Sequence, residues 1–325
     1  MRFDRFITLN LALPLGRFMT RISPSSRVGE GGSEVLPILM YHSISDRDES
    51  HLRDYFKVCT SPARFREQMR TLKENGYQGV DLQTGLGWLN RSNDGAPVSG
   101  PAHSALRTPS SGFQTLRPVV ITFDDGFQDF FTEAVPVLRE HGFTATMYLP
   151  TAYIGETRRT FSPRHGSARS TPNSLPSTAP ACLTWSEVEE ARREGMTFGS
   201  HTVSHPKLHG MPWKEIEPEL RDSRRTLEDE LGEPVTDFAY PYAFPEADRE
   251  FCARFREAVE SAGYSTNVTT LLGRVSPRDE RFALKRLPMN GADDDKLLLA
   301  KLAGAYDWLA AAQSLAKTSR RFVRA

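Results

Sequence analysis

Short apolar runs recur along this chain, each followed by a segment of helical periodicity, and that alternation narrows the fold more than any other feature. Val35-Leu36-Pro37-Ile38-Leu39-Met40-Tyr41-His42 reads as a buried strand. Pro62 to Asn75 then sets Phe65, Met69 and Leu72 at spacings of four and three, one face of an amphipathic helix stopped by Gly76. Further strands are expected over Tyr77–Leu82, Pro118–Phe123, Thr144–Leu149, Met196–Ser200 and Thr236–Tyr240, with a short one near Tyr264. Helices are expected from beyond Gly126 toward Glu140, and over Trp185–Glu194, Trp213–Leu231 and Arg249–Ala262. Strands separated by helices pair in parallel, so the fold class is α/β, as a barrel or an open sheet. No internal repeat is evident.

Residues 22–34 are rich in Ser and Gly and read as a linker, which sets residues 1–34 apart as a leader. Residues 35–295 are expected to form one domain, with residues 296–325 as a helical tail. Two aperiodic stretches dense in Ser, Gly and Pro, near 91–116 and 156–180, read as surface insertions, because strand-helix alternation resumes after each. The N-terminal apolar run is short, contains Asn10 and leads to Arg17 and Arg21 without a small-residue cleavage site. It falls short of a signal peptide and of a membrane span. A cytoplasmic or membrane-peripheral location is therefore expected over export, with residues 1–21 available for peripheral membrane contact.

The 41 basic and 41 acidic residues cancel. No basic field marks a polyanion partner, so a nucleic acid is a poor candidate and a neutral substrate such as an uncharged sugar polymer fits better. Cys59, Cys182 and Cys252 are odd in number and far apart, which argues against both a thiolate metal site and a disulfide framework.

The chemistry concentrates at strand ends. Ile121-Thr122-Phe123-Asp124-Asp125-Gly126 is an apolar run ending in two adjacent carboxylates and a glycine. Two buried carboxylates side by side repel unless a cation lies between them or one holds a proton. A divalent metal on Asp125 resolves the conflict and leaves Asp124 free as a base. Downstream, His201-Thr202-Val203-Ser204-His205 follows another predicted strand and supplies two imidazoles four residues apart, a spacing that predicts one side of a helical turn. One carboxylate and two histidines make a three-ligand site with open positions, suited to activating water. Taken singly, Asp-Gly is a common turn and HxxxH a common coincidence; their joint placement at strand ends is what counts. His42 closes the first strand on the same face, where it can serve as a general acid. Pro241-Tyr242 closes a further strand, with a backbone N–H placed to face a developing oxyanion. Arg286 can pair with a carboxylate.

These motifs resemble those of the polysaccharide deacetylases, the carbohydrate esterases built on the NodB homology domain. Thr122-Phe123-Asp124-Asp125-Gly126 is similar to their first motif, His201-Thr202-Val203-Ser204-His205 to the second and Pro241-Tyr242 to the third, over roughly residues 35–290. The resemblance implies a distorted (β/α) barrel and metal-dependent removal of acetyl groups, usually from the nitrogen of glucosamine-containing glycans. It implies Asp124 as base, Asp125, His201 and His205 as metal ligands, and the Tyr242 N–H as an oxyanion donor. The expected cofactor is a divalent metal, zinc first, with cobalt or nickel also accommodated. The expected partner is an N-acetylated glycan or polysaccharide.

Two departures bear on the roles. Ala239 stands where the family's third motif begins with arginine, and no histidine follows His209, although the common C-terminal motif carries a catalytic one. The permuted subgroup, which includes the poly-N-acetylglucosamine deacetylases, takes that histidine from an N-terminal strand, and its Tyr-His element is similar to Tyr41-His42. His42 is accordingly the expected acid, and Arg286 the expected replacement for the missing arginine beside Asp124. Ala243 replaces a frequent glycine at the groove rim. A deacylase of another amide or O-acetyl ester, and an inactive carbohydrate-binding relative, stay open as alternatives.

Overall fold

The computed structural model describes residues 3–12, 35–53, 57–94, 117–162 and 179–309. Its strands are β1 (Ile38–Tyr41), β2 (Ser43–Ile44), β3 (Cys59–Thr60), β4 (Tyr77–Val80), β5 (Arg117–Phe123), β6 (Thr146–Leu149), β7 (Thr197–Ser200), β8 (Asp237–Ala239), β9 (Thr266–Leu272) and β10 (Leu284–Pro288). Its α-helices are α1 (Phe3–Ile7), α2 (Pro62–Glu74), α3 (Leu82–Asp94), α4 (Val135–His141), α5 (Trp185–Arg193), α6 (Trp213–Leu231), α7 (Arg249–Ser261) and α8 (Asp295–Leu302).

All the barrel strands run parallel. In the order β1-β10-β9-β8-β7-β6-β5 they close on themselves through a β1–β5 pairing, in which Ile38 lies against Val120 and Tyr41 against Phe123. β4 stands outside the ring and explains its distortion. It pairs with the first half of β5, Tyr77 opposite Arg117 through Val80 opposite Val120, while β6 pairs only with Thr122 and Phe123 at the far end. The fold is thus the distorted (β/α) barrel expected from the resemblance, and the open-sheet alternative falls away.

The strand sequences explain closure. β1 and β6 are buried at every position, the signature of parallel strands covered on both faces. Ile38, Val120, Tyr148, Ala239, Val268 and Leu284, from six of the seven ring strands, pack together and fill the lumen. Their neighbours Leu39, Ile121, Met147, Phe238 and Leu287 point outward against the helices. α2 shows how local signals agree with this packing. Ser61 caps it by accepting from the Arg64 N–H at 3.2 Å, Pro62 occupies its first turn, and Phe65, Met69 and Leu72 are fully buried.

Some elements differ from expectation. The segment beyond Gly126 begins as a π-helical turn, Phe130–Ala134, before α4 takes over. The strand expected near Tyr264 is the seven-residue β9, and β10 was not anticipated at all. Residues 3–12 pack on the chain's other end, with Arg5 paired to Asp294, Tyr306 donating to Asp4 at 2.7 Å and Trp308 to Thr8 at 3.1 Å. The boundary expected between residues 295 and 296 falls within α8, whose Leu297 and Leu298 are fully buried. Of the two insertions, residues 95–116 and 163–178 lie outside the described residues. No helix among the described residues is long and apolar enough to cross a membrane.

Candidate active site

β5 delivers both carboxylates to the C-terminal mouth of the barrel. The Asp124 N–H donates to the Tyr41 carbonyl at 3.1 Å, which ties the tip of β5 to that of β1. Neighbours in a strand face opposite ways, but Asp125 sits at φ 75° and Gly126 at φ 67°, so the chain turns there and both carboxylates reach one cavity. Gly126 is needed twice over: its φ is left-handed, and a Cβ would meet Ile154 Cδ1 at 3.0 Å and Leu149 Cδ2 at 3.1 Å.

β7 delivers the first histidine, its N–H bonded to the Leu149 carbonyl of β6 at 3.0 Å. The segment from His201 to His205 is a bend, not the helical turn that the spacing predicted, with Thr202 at φ 70° and His205 at φ 54°. The two imidazoles converge all the same. His201 Nε2 lies 3.6 Å and His205 Nε2 3.2 Å from Asp125 Oδ1. One candidate ligand atom from each of the three buried residues lies within 4.8 Å of the others.

The donor set fits a divalent cation. His201 Nδ1 is 2.8 Å from the Ala239 carbonyl, to which it donates, and this bond turns Nε2 toward Asp125. His205 Nδ1 is buried with no hydrogen-bond partner among the described residues. Burial alone would raise the Asp125 carboxyl, yet hydrogen bonds from His201 and His205 hold it well below the usual carboxylate range. His201 is likewise pushed down by burial, but its bond to Asp125 and the nearby charges carry it above an ordinary imidazole; burial pushes His205 below one. An anionic oxygen and two imidazole nitrogens converging in a buried site are what zinc and its neighbours accept.

Asp124 stands beside this group and is held separately. Arg286, fully buried on β10, donates through Nη1 to Oδ1 and through Nη2 to Oδ2, both at 2.7 Å. The guanidinium is itself fixed by bonds from Nε to the Thr269 carbonyl at 2.9 Å and from Nη1 to Thr122 Oγ1 at 3.2 Å. Burial works to protonate Asp124; the Arg286 charge and fork outweigh it and hold the carboxyl below its ordinary value. His42, at the tip of β1, brings Nε2 to 3.9 Å from Asp124 Oδ2 and keeps a fifth of its side chain exposed.

Tyr242, at φ 60°, lays its ring 4.6 Å from that of His205, and Pro241 beside it is buried. Burial and the Asp125 charge push the Tyr242 phenol up to about 12, so it walls the site as a neutral group. Asp124, Asp125, His42, His201, His205, Tyr242 and Arg286 are thus brought together by the structure. Sequence reasoning missed three neighbours. Phe161, from the start of the second insertion, sets its ring 5.2 Å from His205. The Ala239 carbonyl orients His201 although the residue registers in the sequence only as a missing arginine. Glu219 binds the loop between the histidines, and nothing marks it among the acidic residues of α6.

Comparison with known proteins agrees with this geometry. The family model described as polysaccharide deacetylase matches residues 114–266. YxkH of Bacillus subtilis, named for the same family, is 25% identical over 252 residues, which cover 78% of this chain and 70% of that protein. The poly-β-1,6-N-acetyl-D-glucosamine N-deacetylase of Escherichia coli is 30% identical over 103 residues, 31% of this chain but only 12% of the longer enzyme. Among solved structures, the Streptococcus pyogenes deacetylase PplD, in complex with acetate, superposes with a TM-score of 0.61 at 23% identity, covering 83% of this chain and 98% of its own. IcaB from Ammonifex degensii gives 0.58 at 19% identity, over 84% and 97%. At these identities the two structures show a shared fold.

Proposed function

We propose that the chain, whose residues 114–266 match the polysaccharide deacetylase family, is a member of that family and a metal-dependent hydrolase removing N-acetyl groups from an N-acetylglucosamine-containing glycan. One observation carries this reading: Asp125, His201 and His205 converge within 4.8 Å while Asp124, next in the chain, is withheld from them by Arg286. A site of metal ligands alone would have no reason to keep a second, ionised carboxylate oriented by a buried arginine.

Asp125, His201 and His205 would hold the ion, zinc first and cobalt or nickel as alternatives. Bound there, it would supply Lewis acidity, polarising a carbonyl and bringing the pKa of water toward about 7. The chain's own groups carry the protons. Asp124, ionised and oriented by Arg286, takes a proton from the water that attacks the acetyl carbon. His42, in its protonated form, gives its proton to the amide nitrogen as the C–N bond breaks. Acetate and a free amine leave, and each proton lost from one group is gained by another. The Tyr242 N–H would help hold the developing oxyanion. The zero net charge and the neutral aromatic wall suit a sugar rather than a polyanion.

The test is acetate release from a panel of N-acetylated glucosamine oligomers, using metal-stripped protein and the same protein resupplied with zinc. Zinc-dependent release that vanishes in Asp124→Asn is the expected result. Stoichiometric zinc without release from any N-acetylated sugar would move the assignment to another acyl substrate or to a binding role.

A further inference from the structure

The loop between the two histidines is held in a conformation its own residues disfavour. Thr202, a β-branched residue, sits at φ 70°, and His205 at φ 54°. Left-handed backbone is disfavoured for a non-glycine residue, and a β-branched residue there is a genuine outlier. Such a conformation persists only where surrounding contacts over-determine it.

Those contacts come from three directions. Within the loop, Thr202 Oγ1 accepts the His205 N–H at 3.0 Å and donates to the His201 carbonyl. From the segment after β6, the Thr151 and Ala152 N–H groups donate to the Thr202 and Val203 carbonyls at 3.1 and 2.9 Å. From α6, the Glu219 carboxylate receives the remaining donors: the Val203 and Ser204 N–H groups at 2.8 Å each on Oε2, and the Ser204 hydroxyl at 2.6 Å on Oε1. Two successive backbone N–H groups beside a left-handed residue form a small anion-binding concavity, and here a side chain from another element fills it. Bonds from neutral donors to a carboxylate are among the stronger hydrogen bonds, and three of them converge on one residue.

We propose that Glu219 is a positioning residue for the metal site: by clamping the Val203–Ser204 turn it holds His205 at its distance from Asp125 and His201. The inference rests on the metal reading of Asp125, His201 and His205 given above. Glu219 is eighteen and fourteen residues from the two histidines and, among the contacts seen here, touches neither; it acts through the loop. The physical contrast is with a carboxylate that merely stabilises the fold. A fold-stabilising Glu219 would change the melting of the protein and leave its affinity for zinc alone, whereas a positioning one changes affinity in protein that is still folded.

The experiment compares wild type with Glu219→Gln, which keeps the volume but offers one amide oxygen and turns donors toward donors. Zinc affinity is measured by competition with a chromophoric chelator, and folding of the metal-free proteins by circular dichroism. Glu219→Gln is expected to bind zinc about 10–100-fold more weakly, the usual cost of losing a partner that orients a ligand. The visible ligand-field band of its cobalt form is expected to shift from that of wild type. Ser204→Ala, which removes one of the three bonds, is expected to lose less, and Glu217→Gln, an exposed charge on the same helix, to lose nothing. Folded Glu219→Gln with zinc affinity and cobalt spectrum equal to wild type overturns the proposal. If Glu219→Gln does not fold, Ser204→Ala decides: weaker zinc binding in the folded protein supports it, and unchanged binding overturns it. A wild-type chain that binds no zinc overturns the metal reading and this inference together, which separates that failure from the others.

Discussion

Replacing Arg286 with methionine isolates the interaction on which the site most depends. The guanidinium and Asp124 are 0% and 4% exposed, and two of its donors reach the two carboxylate oxygens at 2.7 Å. Unit charges about 4 Å apart, the separation of the two group centres in such a fork, attract by about 4 kcal/mol at an effective dielectric of about 20. Both ions were desolvated to make the pair, so its net worth is smaller, but removing one partner leaves the other buried and uncompensated, at about 3–5 kcal/mol. Arg286→Met is therefore expected to destabilise the metal-free protein by about 3–5 kcal/mol in denaturant titration. The pH dependence should change sign locally. In wild type the Asp124 pKa is depressed on folding, so its contribution is complete above the unfolded carboxylate value of 3.8 and is lost as pH falls further. Without Arg286, burial raises that pKa above its unfolded value, and the variant should regain stability on acidification from neutral pH. Arg286→Met combined with Asp124→Asn removes the stranded charge and should recover a large part of the loss. A single variant within about 1 kcal/mol of wild type, or one whose deficit is the same at pH 7 and pH 5, would refute the argument.

Other outcomes follow from the same geometry. Asp124→Asn strands the Arg286 charge and should cost stability as Arg286→Met does; in the folded protein it should lower acetate release by more than the ~10²–10⁴-fold typical of one general base, because it also disturbs the group beside it. His42→Ala should slow release from amides, whose amine must be protonated to leave, far more than from an activated aryl acetate; equal losses on both would remove His42 from the acid role. His205→Ala should abolish stoichiometric zinc binding in dialysed protein, since it takes away one of three converging ligands. Gly126→Ala should cost about 1–2 kcal/mol of stability by denaturant melting, from its φ of 67° and from crowding against Ile154 and Leu149.

The barrel was legible because parallel strands covered on both faces must be apolar throughout, and β1, β5 and β6 carry that signature in the sequence. β10 was not, because Leu284-Lys285-Arg286-Leu287-Pro288 interrupts its apolar pattern with two cations and ends in proline. The reason for the interruption is chemical: Arg286 is buried there to meet Asp124, a requirement no periodicity can express. The same holds for closure, since the β1–β5 pairing joins segments some eighty residues apart, with β4 wedged against the lower half of β5. Adjacent motif residues were easier to place together than remote ones. Asp124 and Asp125 share a turn and His201 and His205 share a loop, so their convergence needs only two strand ends to meet. Even so, the loop geometry was misread. An i, i+4 spacing suggests a helical turn only where the backbone stays right-handed, and Thr202 and His205 do not. What makes their conformation tenable lies on α6 and on the segment after β6, in a carboxylate and two amides whose sequence neighbourhoods look like any solvated helix and any loop. The ligand-type residues of this site can be read from the chain, but the groups that aim them are visible only once the barrel brings its strand ends and helices together.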